Sequence, residues 1–138
     1  MGLGVLMPKL FNLRVICSGN GRVRYLDLRP MTHDEACTVK TKLMRHPARH
    51  VELYELTEAS VLERIASELE GAAWAARNDP NHYATHITER QKEENLRKDL
   101  DYAQLVRKGQ ALSFTTAQKA HYYLTGESVS LMEAACLS

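Results

Sequence analysis

The chain has 138 residues, 44% apolar and 25% charged, with a formal net charge of +1. A length of this kind fits one domain around a single core, and the composition is that of an ordinary soluble protein, which excludes collagen-like, coiled-coil and disordered classes. The near-neutral balance also excludes a binder of nucleic acid built on overall positive charge, and leaves only a local basic face open to that role.

The first periodic segment is Leu10–Cys17, where Phe11, Leu13, Val15 and Cys17 share one face of a strand and Asn12 and Arg14 face away. Ser18-Gly19-Asn20-Gly21 has the composition of a tight turn, so Val23–Arg29 reads as the partner strand of a β-hairpin that Pro30 ends. Thr32 and Glu35 have capping-box spacing and predict a helix over His33–Met44 with Ala36, Val39 and Leu43 as its core stripe. His50–Leu56 alternates again as a third strand, which makes residues 9–56 a ββαβ unit with a small antiparallel sheet.

From Thr57 the pattern is helical. Leu62, Ile65, Leu69, Ala72 and Ala76 step by three and four, and the stripe is expected to cover the sheet, with Trp74 off to one flank. Asp79-Pro80 predicts a second long helix over Pro80–Lys108, whose first half, Thr88–Asn95, carries no apolar residue and is expected to meet solvent or a partner. Capping spacings at Thr115/Gln118 and Ser130/Glu133, either side of Gly126, predict a short helical hairpin at the end of the chain. The expected fold class is therefore α+β, one domain over residues 1–138: a leader over 1–8, the sheet part over 9–56 and the helical part over 57–138.

Charge divides along the same boundary. Residues 1–56 hold nine Lys/Arg against five Asp/Glu, a net of +4, and residues 57–138 hold nine against twelve, a net of −3. The candidate partner-binding residues are Arg14, Arg22, Arg24 and Arg29 on the hairpin with Lys40, Lys42, Arg45 and Arg49 after it, because arginine forks suit phosphates and carboxylates alike. The bland alternative is a solvated sheet face with ion pairs to Glu58, Glu63, Glu68 and Glu70. Tyr25 and Tyr54 are the candidate aromatics for base stacking.

A second candidate interface comprises Trp74, Tyr122, Tyr123, Glu89, Arg90, Glu93 and Glu94. His82, His86 and Glu89 lie four and three apart, so on a helix they would share a face and could hold a metal, although the glutamate of a zincin motif does not follow the first histidine. The segment Gln118–Ser138 has a helix-turn-helix outline, but its second helix carries Glu133 and no Lys or Arg, so it suits DNA poorly. No nucleophile elbow, phosphate loop or other catalytic motif is announced.

Three cysteines, Cys17, Cys37 and Cys136, with no CxxC pair point to a reducing, cytoplasmic setting, and no apolar run approaches about 18 residues. In size, charge balance and lack of motifs the chain is similar to small accessory proteins of phages and plasmids, including regulators and inhibitors of host defence. That similarity implies a non-enzymatic protein without a cofactor, which binds and occludes a larger protein or nucleoprotein. The alternatives are a small nucleic-acid-binding regulator using the basic hairpin, as a homodimer through the second long helix, and a metal-dependent enzyme using His82, His86 and Glu89.

Overall fold

The computed structural model describes residues 8–17, 19, 22–45, 49–83, 85–110 and 112–128. In chain order the elements are β1 (Phe11–Cys17), β2 (Val23–Tyr25), α1 (His33–Leu43), β3 (Arg49–Glu55), α2 (Glu58–Asn78), α3 (Glu89–Arg107) and α4 (Phe114–Thr125). This is the expected α+β arrangement, a small antiparallel sheet followed by helices. The strand order is β2-β1-β3, so the most regularly alternating strand lies in the centre. The leader up to residue 7, most of the hairpin turn and the second helix of the terminal hairpin lie outside the described residues.

Alternation along β1 has the predicted result on one face only. Leu13 and Val15 pack with Val51 and with Ala36 of α1, and Phe11, Val39, Leu43 and Leu53 close the cluster. On the other face Asn12 does not reach solvent. It is 1% exposed, donates from Nδ2 to the Leu28 carbonyl at 2.8 Å, and accepts the Leu13 amide at 2.8 Å. That side chain replaces strand pairing, so β2 stops at Tyr25 instead of running to Arg29. The chain rejoins the sheet only at Met31, bridged to Phe11 by amide–carbonyl bonds of 2.7 and 2.9 Å.

Helix starts follow their caps. Thr32 and Glu35 form the predicted capping box, and Thr57 caps α2. The helix predicted from Pro80 begins instead at Glu89, because Thr88 and Gln91 make a reciprocal cap while Asp79 folds a turn onto Asn81 and His82. Likewise α4 starts at Phe114, capped by Ser113 rather than by Thr115.

The stripe on α2 does not cover the sheet. Leu62, Ile65 and Ala66 bury against Ala103 and Val106 of α3, forming a second core with Leu69, Tyr102, Leu112, Ala120 and Tyr123. Arginine clamps hold both ends of the α2–α3 pair. Arg107 forks onto Glu70 at 2.7 and 3.2 Å and also reaches Glu63, while Arg77 donates to Glu93 at 2.6 Å and to Glu89 at 2.8 Å. The Glu70 and Glu63 bonds raise Arg107 above the ordinary arginine range. Glu63 and Glu70 are therefore partners of α3 and not of the basic hairpin.

Between the two cores lies a seam centred on Arg64, which is 3% exposed. Its guanidinium lies 3.5 Å from the Tyr123 ring centroid and 5.9 Å from that of Tyr25, and its Nε is 3.6 Å from Glu68. Tyr123 donates to Glu68 at 2.6 Å, and burial, then that bond, pushes its phenol well above the ordinary tyrosine value. The second face of the sheet thus meets the helices through a buried cation and aromatic rings.

Candidate functional site: a basic pole

Strand register decides where the eight basic candidates lie. β1 runs toward the hairpin turn, its last residue Cys17 pairs with Arg49 at the start of β3, and the Cys17 amide donates to the Arg22 carbonyl at 3.0 Å. Arg24, two pairs further along, stands opposite Val15. Since α1 leads into β3, its last turn, with Lys40 and Lys42, and the following Arg45 sit at this same end. Six of the eight candidates, Arg22, Arg24, Lys40, Lys42, Arg45 and Arg49, are therefore gathered at one pole from four stretches of chain.

The remaining two are elsewhere. Arg14 occupies the opposite face of the sheet, bonded to Glu52 at 2.9 Å and lying 5.7 Å from the Tyr54 ring centroid. Arg29 precedes the Met31 bridge to Phe11, at the far end of the sheet, close enough to Glu35 to help lower its carboxyl after the two bonds from Thr32.

Among the described residues at least half of the pole's charge has no local counter-ion: Arg24, Lys40, Lys42 and Arg45 make no ion pair, and the nearby Glu52 is already shared by Arg14 and His50. Lys40 and Lys42 also lie in the last turn of α1, where they offset the negative end of its dipole. Beside the pole a groove of about 440 Å³ opens between β2 and α2, lined by Cys17, Arg22, Arg24 and Tyr25 on one side and by Ser67 and Glu68 on the other. Such a groove suits a carboxylate or phosphate held at the arginine wall.

The aromatic candidates for base stacking are committed inward. Tyr25 and Tyr54 meet edge to face with centroids 5.6 Å apart. Burial pushes the Tyr54 phenol above its ordinary value against the opposing charge of Arg64.

The metal candidate is dispersed. His82 and His86 fall in the turns before α3, the His82 ring packs on Tyr83, and Glu89 is held by Arg77 and Lys92. Those cations lower the Glu89 carboxyl, the Lys92 bond contributing most. Among the described residues no three His, Cys, Asp or Glu side chains form a group able to hold a metal.

The second candidate interface splits in two. Trp74 is 49% exposed and shares a groove with Arg90, Glu93 and Glu94, so these four are neighbours. Tyr122 is exposed on α4, whereas Tyr123 is half-buried and engages Arg64 and Glu68. Arg64 itself was not anticipated from sequence. Its signal is the doubled apolar pairs Val61-Leu62 and Ile65-Ala66, which show that α2 buries two faces, with Arg64 on the second.

No family model, curated protein or solved structure matches the chain. Among the described residues no helix is long and apolar enough to cross a membrane.

Proposed function

We propose that the chain is a non-enzymatic interaction protein that engages an acidic surface of a larger protein or nucleoprotein through the basic pole, and so occludes that surface. The observation that carries this reading is the gathering of Arg22, Arg24, Lys40, Lys42, Arg45 and Arg49 at one end of the sheet, with Arg24, Lys40, Lys42 and Arg45 free of ion pairs among the described residues. Unneutralised like charges oppose folding, so their concentration at one place is best explained by a partner of opposite sign. A cytoplasmic inhibitor in the manner of phage and plasmid accessory proteins fits this format of size and charge.

An acidic protein is favoured over nucleic acid because the neighbouring rings, Tyr25 and Tyr54, pack on each other and lie beside the cations of Arg64 and Arg14. Phosphates could be bound at the pole, but a platform for unstacked bases is lacking there. The test compares anisotropy titrations with a labelled oligoglutamate peptide and a labelled single-stranded oligonucleotide of equal charge. The peptide is expected to bind as tightly or more tightly. Arg24→Glu with Arg45→Glu should lower its affinity about a hundredfold, each of the two charge-assisted contacts contributing about 1.5 kcal/mol. Preference for the oligonucleotide would move the site to the nucleic-acid class, and unchanged binding by the double variant would remove the pole from the site.

A further inference from the structure

The outer stripe of α3 complements itself. Arg90, Glu94, Arg97 and Asp101 follow one another at steps of four, three and four, so they line one side of the helix, and all four are exposed. Their signs run plus, minus, plus, minus. Reversal about the midpoint between Asn95 and Leu96 exchanges Arg90 with Asp101 and Glu94 with Arg97. The same reversal exchanges Glu93 with Lys98 and Lys92 with Asp99, so each charged position from 90 to 101 maps onto the opposite sign.

Two antiparallel copies of a helix related by a two-fold axis are placed in register by that reversal. We propose that α3 is the contact between two copies of this chain, with the axis passing between Asn95 and Leu96. Arg90 of each copy then faces Asp101 of the other, and Glu94 faces Arg97. In the single chain half of the stripe is unused: among the described residues Arg97 and Asp101 make no ion pair. Arg90 and Glu94 pair within the helix at 3.3 Å, with side chains 89% and 56% exposed. An exposed pair at this spacing contributes only about 0.3–0.5 kcal/mol, so exchanging it for a contact between copies costs little.

Trp74 supplies the apolar part of the contact. The indole is 49% exposed and lies in a groove of about 580 Å³ with Arg90, Glu93, Glu94, Arg97 and Leu100, directly beside the stripe. An aromatic anchor next to arginine is the composition of an interface hot spot. The stripe spans about 17 Å at 1.5 Å per residue, which makes a contact at the small end of specific interfaces and a dimer of micromolar strength that weakens with salt.

The test begins with sedimentation equilibrium of the full chain from about 5 to about 500 µM at low and high salt, and a dimer dissociating in that range at low salt is expected. Two charge variants then decide the geometry: Arg90→Glu with Arg97→Glu makes the stripe wholly acidic, and Glu94→Arg with Asp101→Arg makes it wholly basic. Each should be a folded monomer by circular dichroism, its self-association weakened at least about a hundredfold by like charges. An equimolar mixture should restore a dimer. Trp74, the sole tryptophan, should shift its emission to the blue on mixing. A wild-type monomer throughout the range would overturn the proposal, as would either variant dimerising alone or failure of the mixture to associate. The variant Arg24→Glu with Arg45→Glu should still dimerise, which separates this contact from the basic pole.

Discussion

Truncating Arg64 tests whether the seam between the two cores is held by a planar cation or only by the volume of the side chain. The residue is 3% exposed and its guanidinium lies 3.5 Å from the Tyr123 ring centroid, a desolvated stacking contact that contributes about 2 kcal/mol. Tyr25, at 5.9 Å, is at the limit of the useful range and adds about 0.5 kcal/mol. The buried stem contributes about 0.8 kcal/mol per methylene, or about 2.4 kcal/mol for three. Against these stands the cost of removing the charge from water, which is several kcal/mol and is relieved by any neutral substitute.

Arg64→Met keeps most of the stem and discards the desolvation cost together with the ring contacts, so a loss of less than about 1 kcal/mol is expected. Arg64→Ala gives up the stem and leaves a void beside Tyr54 and Tyr123, and should lose about 2–3 kcal/mol. Arg64→Lys retains a more strongly hydrated charge without the planar fork and should also lose about 2 kcal/mol. Thermal and urea unfolding of the three variants measures the series, with about 4 °C of Tm per kcal/mol for a chain of this length. The reasoning is refuted if Arg64→Lys is as stable as wild type, since charge alone would then suffice, or if Arg64→Ala lies within about 0.5 kcal/mol of it, since surface substitutions behave that way.

Gly126 ends α4 in the left-handed region at φ 79°, where a Cβ would come within 3.0 Å of the Pro30 ring. Gly126→Ala combines backbone strain with that approach and should cost about 1–2 kcal/mol, with Gly126→Asn milder, as read from urea midpoints. Equal stability of the alanine variant would show that the cap does not anchor α4 against the sheet. Tyr123 and Tyr54 have phenols raised by burial, so their contribution is complete below the unfolded-state value of about 10 and is lost as pH rises through the higher folded value. Urea midpoints should therefore decline above a pH of about 10, and Tyr123→Phe should flatten the decline; an unaltered slope in that variant would contradict the assignment.

What the residues determined alone is what one turn of chain can enforce. Thr32 with Glu35 and Thr57 with Ser60 satisfy amides within three residues, and those helix starts were legible or nearly so. Where two local signals competed, the nearer reciprocal cap prevailed: Thr88 with Gln91 set the start of α3, and the histidines before it lost the helical face that a metal site required. The alternation of β1 likewise announced one buried face, and the distribution of basic residues announced a positive half.

Tertiary structure decided which face met which. Asn12 is polar and alternates outward, yet the Leu28 carbonyl sixteen residues away made it a buried strut and shortened β2. Glu63 and Glu70 could have paired with any arginine, and the docking of α2 on α3 gave them Arg107, 44 and 37 residues distant. The basic pole exists only because antiparallel register puts Cys17 beside Arg49 and returns α1 to the same end of the sheet. Caps and periodicity act through hydrogen bonds and side-chain directions fixed within a few residues, whereas the pairing of faces is set by burying apolar stripes across the whole chain. A stripe such as that of α2 fits a sheet or a helix equally well until both are present.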